Sequence, residues 1–245
     1  MLRMLVVIAA TVGFVAWLGV ASVGRAAPSG DIHYPDLRTR VPSDLRITIE
    51  SGKKLLRFSN TIYNFGDGPW ELRPKHLANT KTEMFQRLYS HDANGKPYLI
   101  SETFVGISDF HRPHRHWHVN DIALYQLFRD GAGSIGDLIT GTSKTSVCIR
   151  DNASPEAGAS SLEHFGWGGY SRCDKKAIQG LRVGYGDTYP WNIDGQSLAI
   201  TGLADGCYWL RSTANPNGNF LESDTSNNSA AVRFSISGNA ITGCP

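Results

Sequence analysis

The sequence has little excess charge of either sign and no run of Lys or Arg. It holds 24 Lys and Arg against 22 Asp and Glu, a formal net charge of +2. Two of the basic residues, Arg3 and Arg25, lie in an N-terminal segment that has the features of a removable signal. A protein without a positive field has little with which to attract phosphate backbones or anionic lipid. The composition therefore argues against nucleic acid, and against a membrane surface, as a partner of the mature protein.

The sequence also lacks closely spaced cysteine pairs. None of its 4 Cys lies in a CxxC motif, which argues against a thiolate zinc site or a redox motif. All four lie in the second half of the chain, and an even number in an exported protein indicates disulfide bonds. Sequence order favours Cys148 with Cys173 and Cys207 with Cys244, although three connectivities are possible.

After residue 28 no segment of helix length shows helical periodicity, and only 3 Met stand against 26 Gly and 11 Pro. Short runs of β-branched and aromatic residues alternate with turn residues, a pattern typical of antiparallel strands. We expect an all-β protein, an antiparallel β-sandwich-like single domain with long loops. The expected strands are Leu45–Ile49, Leu55–Tyr63, Tyr98–Phe104, His116–Phe128, Thr145–Ile149, Leu198–Thr201, Cys207–Ser212 and Ala231–Ile236. Hairpin turns are expected at Ser51-Gly52, Gly66-Asp67-Gly68, Asn94-Gly95 and Asp205-Gly206.

Residues 1–27 have the layout of a secretory signal. A basic start at Arg3 precedes an apolar run from Leu5 to about Val23, and small residues precede Pro28. Because this run approaches the roughly 20 residues that cross a bilayer, a retained membrane anchor is the alternative. We predict a signal peptide over residues 1–27, one domain over residues 28–245 and a secreted, extracellular protein.

Four of the 8 His fall within residues 111–118, at positions 111, 114, 116 and 118. On an extended strand, His114, His116 and His118 would point to one face. Neutral imidazoles grouped in this way are suited to share one divalent ion, either zinc or copper. A zinc hydrolase on these residues would need a carboxylate base, for which Asp109 and Asp121 are candidates. A sheet face covered by hydrogen-bonded histidines, or an anion site with neighbouring arginines, is the alternative without a metal.

The histidine segment carries a family resemblance. The pattern His-x-x-His-x-His-x-His-x-x-Asp over residues 111–121, continuing to Tyr125, resembles the copper-binding segment of the lysyl oxidases. Further similarity lies in Lys144–Cys148, Gln179–Gly184, Asp187–Tyr189, Ile193–Gln196 and Asn215–Asn228. The similarity runs from about Asp36 to Asn228. The chain resembles a short, prokaryote-type member of the family. Pro113 and Gly195 stand where the animal enzymes carry cysteines, so the resemblance implies a reduced disulfide set.

The resemblance implies an oxidoreductase of the protein-lysine 6-oxidase type. Copper would be held by His114, His116 and His118, with His111 beside them, and Lys144 and Tyr189 would become the cofactor lysine tyrosylquinone. Such an enzyme oxidises primary amines, either peptidyl lysine or small amines, to aldehydes and converts dioxygen to hydrogen peroxide with release of ammonia. Proton abstraction needs a base within hydrogen-bond reach, for which our candidate is Asp187.

A second group of oxygen ligands lies near the C-terminus, as calcium requires. It comprises Glu222, Asp224, Asn227 and Asn228, and the resemblance adds Asp36 to a calcium site there. The alternative is a polar turn between two strands.

Two other functions stay open at this point. They are a secreted copper-binding β module without turnover and a zinc hydrolase on the histidine triad. The positions of Lys144 and Tyr189 distinguish the oxidase from these two functions, because only the oxidase needs both side chains within covalent reach of each other.

Overall fold

The computed structural model describes residues 31–75, 80–113, 115–144, 148–154, 169–174 and 176–245, with the backbone alone at Ser143 and Lys144. Within these residues all regular secondary structure is β-strand. The strands are β1 (Leu37–Thr39), β2 (Ser43–Glu50), β3 (Lys53–Asn64), β4 (Trp70–Lys75), β5 (Lys81–His91), β6 (Pro97–His111), β7 (His116–His118), β8 (Ala123–Asp130), β9 (Ile135–Lys144), β10 (Gln179–Leu181), β11 (Gly186–Tyr189), β12 (Ser197–Ala199), β13 (Gly206–Ala214), β14 (Ser229–Ser237) and β15 (Ala240–Thr242). The predicted all-β class is confirmed.

The strands form three antiparallel sheets. In the first, β3 pairs with β1, β2, β11 and β12. The second has the order β10-β4-β5-β6-β7, and the third has the order β15-β14-β13-β8-β9. Alternating burial along β13 and β5 shows why these residues form strands, since every second side chain enters the core.

Large aromatic side chains join the sheets in the core. Phe58 of β3 meets Tyr125 of β8 edge to face, with ring centroids 4.8 Å apart, and Trp70 of β4 meets Phe220 at 5.0 Å. The first pair joins two sheets, and the second joins a sheet to the loop that follows β13. Such aromatic contacts stabilise the fold by more than the burial of their surface area alone.

The expected strand His116–Phe128 is wrong as a single element. It consists of β7, which pairs with β6, and β8, which pairs with β13 and β9 in another sheet. Asp121 has φ 55° between them, a left-handed conformation that ends an extended run. The expected strand at Thr145–Ile149 also fails at Cys148 and Ile149, which lie outside any strand, and residues 145–147 lie outside the described residues.

The glycines at Gly66 and Gly68 do not form a hairpin, because β3 and β4 belong to different sheets. They permit a close backbone approach instead. A Cβ at Gly66 would lie 2.1 Å from the Tyr34 carbonyl oxygen, and one at Gly68 would lie 2.3 Å from that of His33. The loop therefore receives the N-terminal segment, residues 33–36, across it. Asp205-Gly206 likewise joins strands of two sheets, so that predicted hairpin is also wrong.

Two disulfide bonds join Cys148 to Cys173 and Cys207 to Cys244. The pairing favoured by sequence order is confirmed. Helices of the length and hydropathy needed to cross a bilayer are absent from the described residues. The predicted signal peptide, residues 1–27, lies outside them.

Candidate functional site

The hairpin of β6 and β7 presents a group of histidines. In its register His111 lies opposite His116, and Asp109 lies opposite His118. Arg115 has φ 58°, so the extended strand starts at His116 rather than at residue 114. His116 and His118 share one face of β7, as the alternation predicted, and His114 lies outside the described residues.

The imidazoles of His116 and His118 converge. Their Nε2 atoms are 3.1 Å apart, and the ring of His111 stacks on His118 with centroids 4.4 Å apart. Trp117 points the other way, is buried and packs edge to face on Phe110. The hairpin thus gathers three imidazoles on one side and anchors itself in the core on the other.

This separation fits two ligands of one ion. Imidazole nitrogens bound at about 2.0–2.1 Å lie roughly 2.9–3.4 Å apart when the angle at the ion is between a right angle and the tetrahedral angle. Among the described residues, no group of three or more His, Cys, Asp or Glu is arranged to hold a metal ion. The described donor set therefore supplies a pair of nitrogen ligands, and imidazole suits copper and zinc alike.

Tyr189 and Asp187 form a buried hydrogen-bonded pair on β11. The Tyr189 hydroxyl donates to Oδ2 of Asp187 at 2.7 Å, and the two residues are 3% and 1% exposed. Asn152 Nδ2 donates to Asp187 Oδ1 at 2.5 Å, and the backbone N–H of Arg150 donates to Oδ2 at 3.3 Å. Sequence reasoning missed Asn152, since an asparagine in a loop carries no signal of the partner it meets.

Burial controls the electrostatics of this pair. It raises the pKa of Asp187 to about 7, because removal from water disfavours the carboxylate more than the donated hydrogen bonds favour it. Burial, reinforced by the charge of Asp187, raises the pKa of Tyr189 well above its ordinary value. Near neutral pH, Asp187 therefore populates both its protonation states, and Tyr189 is a neutral phenol.

A pocket of about 640 Å³ joins the histidines to this pair. Its lining includes His116, His118, Asp187 and Tyr189, together with the disulfide between Cys148 and Cys173. Among the described residues, its lining includes neither Asp109 nor Asp121. The backbone of Lys144 ends β9 opposite Ala123, and its side chain lies outside the described residues.

Hydrogen bonds connect several of the predicted calcium residues with one another and with the N-terminal segment. Glu222 Oε2 accepts from the Leu37 N–H at 2.9 Å, and its Oε1 accepts from Asn215 and Asn228 at 2.5 and 2.7 Å. Asp224 Oδ2 accepts from Asn227 Nδ2 at 2.9 Å. Burial raises the pKa of Glu222, so its charged form is held at a cost.

Three oxygen atoms of this cluster are buried and have no hydrogen-bond partner among the described residues. They are Oδ1 of Asp36, Asn227 and Asn228. The amide nitrogens of both asparagines are engaged as donors, which fixes these oxygens as acceptors. Buried polar atoms ordinarily find partners, and hard oxygens are the donors that calcium prefers. The three carboxylates Asp36, Glu222 and Asp224 are not arranged around one metal ion in the structure, so the chemistry of the donors, rather than their geometry, fits calcium.

Comparison with known proteins gives the family. The family model described as Lysyl oxidase matches residues 93–244. Lysyl oxidase homolog 3A of Danio rerio is 28% identical over 189 residues, which cover 77% of this chain and 20% of that protein. Lysyl oxidase homolog 4 of Mus musculus is 28% identical over 192 residues, with 77% and 20% covered, and lysyl oxidase homolog 2 of Gallus gallus is 28% identical over 200 residues, with 81% and 20% covered.

The chain spans about a fifth of the length of these curated relatives. The matched segment includes the β6–β7 hairpin, β11 and the residues of the oxygen cluster that follow β13. It therefore contains the histidines, the Tyr189–Asp187 pair and most of the calcium candidates in one continuous match. By this match, the chain belongs to the lysyl oxidase family.

Proposed function

We propose that this protein is a secreted, copper-dependent amine oxidase. It would oxidise a primary amine, peptidyl lysine or a small amine, to an aldehyde and convert dioxygen to hydrogen peroxide with release of ammonia. The observation that carries the proposal is that one pocket is lined by His116 and His118, 3.1 Å apart, and by the buried pair of Tyr189 and Asp187. Family membership supports a lysyl oxidase-like function.

In this proposal His114, His116 and His118 hold copper, and Lys144 and Tyr189 are the precursors of lysine tyrosylquinone. Copper and the quinone, when present, supply the redox chemistry that dioxygen and an amine require. The chain positions the reacting groups. His111 stacks on His118 and limits the rotation of that ring. The pairing of β3 with β11 holds Tyr189 opposite Asn60.

Asp187 is the proposed base. General-base catalysis is most efficient when the pKa of the base lies near the working pH, and burial raises the pKa of Asp187 to about 7. Asn152 binds the oxygen that Tyr189 does not, so the carboxylate is held from both sides. Asn152 is accordingly a positioning residue for Asp187.

Calcium is proposed to be bound by Asp36, Glu222, Asp224, Asn227 and Asn228. The three unpartnered oxygens support it, as does the Glu222 carboxylate, which receives the backbone N–H of Leu37. The ion would hold the N-terminal segment against the loop between β13 and β14. The two disulfides support export, because such bonds persist in oxidising compartments, and residues 1–27 are the proposed signal.

The copper ligands are tested by His116→Ala. This variant is expected to lose the tightly held copper and the amine-dependent release of peroxide, since a ligand whose nitrogen lies 3.1 Å from that of His118 is removed. Copper per chain is measured by mass spectrometry after desalting. The matched control is Arg112→Ala, an exposed change in the same hairpin, which should retain copper. Equal copper in His116→Ala and in the wild type would refute the ligand assignment.

The cofactor is tested by peptide mass spectrometry of copper-loaded, amine-oxidising protein. A cross-linked peptide pair containing Lys144 and Tyr189 is expected, and both Lys144→Ala and Tyr189→Phe should abolish the pair and peroxide release. Tyr185→Phe, a change beside the Arg182 guanidinium, should preserve both. Unmodified peptides for both residues in an active preparation would exclude this cofactor, and unmodified peptides with bound copper but no activity would favour the binding module.

The base is tested by Asp187→Asn in the copper-loaded enzyme. Because Asp187 must be ionised to accept a proton, the wild-type kcat/KM should rise with pH through about 7. The variant should lose this limb of the profile and about 10²- to 10⁴-fold of the rate. Asp194→Asn, a change at an exposed residue that lines the same pocket, should retain the limb. A variant with the wild-type pH profile would rule Asp187 out as the base.

The calcium site is tested by thermal unfolding with and without calcium. At a hundredfold excess over Kd, calcium should stabilise the wild type by about 2.7 kcal/mol. Asp36→Asn should lose most of this gain, because the charge next to Glu222 is removed. Asp205→Asn, an exposed carboxylate at another turn, should keep it. A calcium effect of equal size in both variants would contradict the assignment.

A further inference from the structure

A second pair of imidazoles lies outside the pocket described above. His33 precedes β1 and forms an isolated bridge with Tyr89, to whose carbonyl its N–H donates at 2.9 Å. His91 is the last residue of β5. The Nε2 atom of His33 lies 3.0 Å from the Nδ1 atom of His91, and the ring centroids are 4.7 Å apart. Two nitrogens from segments 58 residues apart therefore face each other.

Asp67 orients the first of these rings. Its Oδ2 accepts from His33 Nδ1 at 2.9 Å, and its Oδ1 accepts from the Tyr34 N–H at 3.0 Å. With the ring proton on Nδ1, Nε2 of His33 carries a lone pair and lies 3.0 Å from Nδ1 of His91. A carboxylate that receives the outer N–H of an imidazole is the usual support of a metal-ligating histidine.

The backbone around His33 is held closely. A Cβ at Gly68 would lie 2.3 Å from the His33 carbonyl oxygen and 3.0 Å from its Cβ, so only glycine permits this approach. The His33 side chain is 21% exposed and that of Asp67 is 65% exposed. The pair is therefore preorganised by its neighbours and still open to water, which an ion needs for entry and for its remaining ligands.

We propose that His33 Nε2 and His91 Nδ1 bind a divalent transition-metal ion, with Asp67 orienting His33 and water completing the coordination. At bond lengths of about 2.0–2.1 Å, nitrogens 3.0 Å apart subtend roughly a right angle at the ion. That angle is compatible with the tetragonal geometry of Cu²⁺ or Ni²⁺. The ion would clamp the N-terminal segment, which continues to Asp36, to the end of β5.

The distance of 3.0 Å between these nitrogens is also that of an N–H···N hydrogen bond, and this is the competing explanation. The metal site and the hydrogen bond predict different results when Ni²⁺ is added to the protein. A metal site gives a saturable binding event that requires His91, whereas a hydrogen bond gives none. The proposal does not depend on the oxidase, since the two sites share no residue.

The experiment is calorimetric titration with Ni²⁺ of the mature protein loaded with one equivalent of copper per chain, so that copper occupies the pocket and not the His33–His91 site when Ni²⁺ is added. The control is Lys96→Ala, a change at an exposed residue in the turn between β5 and β6. Wild type and this control should each bind one more Ni²⁺ ion per chain than His91→Ala. Asp67→Asn should keep the stoichiometry and bind about 10- to 100-fold more weakly, as loss of an outer carboxylate produces.

Far-ultraviolet circular dichroism checks that His91→Ala retains the β-sheet spectrum, and His91→Gln provides a second folded variant. Equal Ni²⁺ stoichiometry and affinity in wild type and in the folded His91 variants would overturn the proposal and leave the hydrogen bond. Unchanged affinity in Asp67→Asn would overturn the orienting role of the carboxylate. Because each comparison is between wild type and a variant outside the pocket, a failure of copper loading at the pocket would change neither result.

Discussion

Strand β3 pairs with four other strands, and one of these pairings sets the positions of Asp187 and Tyr189 in the pocket wall. Along β3, Asp187 lies opposite Ile62 and Tyr189 opposite Asn60. At its C-terminal end Leu37 lies opposite Asn64, whose side chain accepts from the N–H of Asp36 and donates to the Gly68 carbonyl. A shift of β3 by one residue would turn every one of these side chains to the other face. The pocket and the oxygen cluster thus depend on one register.

Glu71 and Asp187 are both buried carboxylates, and their surroundings differ. Glu71 receives the hydroxyls of Tyr89 and Tyr170, each at 2.6 Å, and a guanidinium N–H of Arg87 at 3.2 Å. The described hydrogen bonds to Asp187 come from neutral donors. Removal from water disfavours the carboxylate of Asp187 more than its hydrogen bonds and the charge of Arg150 favour it, which is why its pKa rises. Glu71 thus has a guanidinium among its hydrogen-bond donors, whereas the arrangement at Asp187 suits the uptake and release of a proton.

Local patterns predicted much of the fold and part of the site. Short runs of β-branched and aromatic residues between turn residues predicted β2, β3, β13 and β14. The order of the cysteines along the chain predicted both disulfides. The run His116–Phe128 misled because its residues favour strands throughout, and periodicity carries no information about Asp121 in a left-handed turn. Gly66 and Gly68 misled because the same residue serves a tight turn and a close approach. The contact of Asn152 with Asp187 spans 35 positions, and no local pattern encodes such a partner.

The disulfide between Cys148 and Cys173 fixes one wall of the pocket. The segment it closes contains Arg150 and Asn152, both of which hold Asp187, yet the described part of that segment contributes no strand to the three sheets. Closing a loop of this size contributes about 3 kcal/mol. Reduction would therefore loosen the pocket wall beside Asp187, whereas the pairing of the strands, which does not involve the described part of this segment, would be retained.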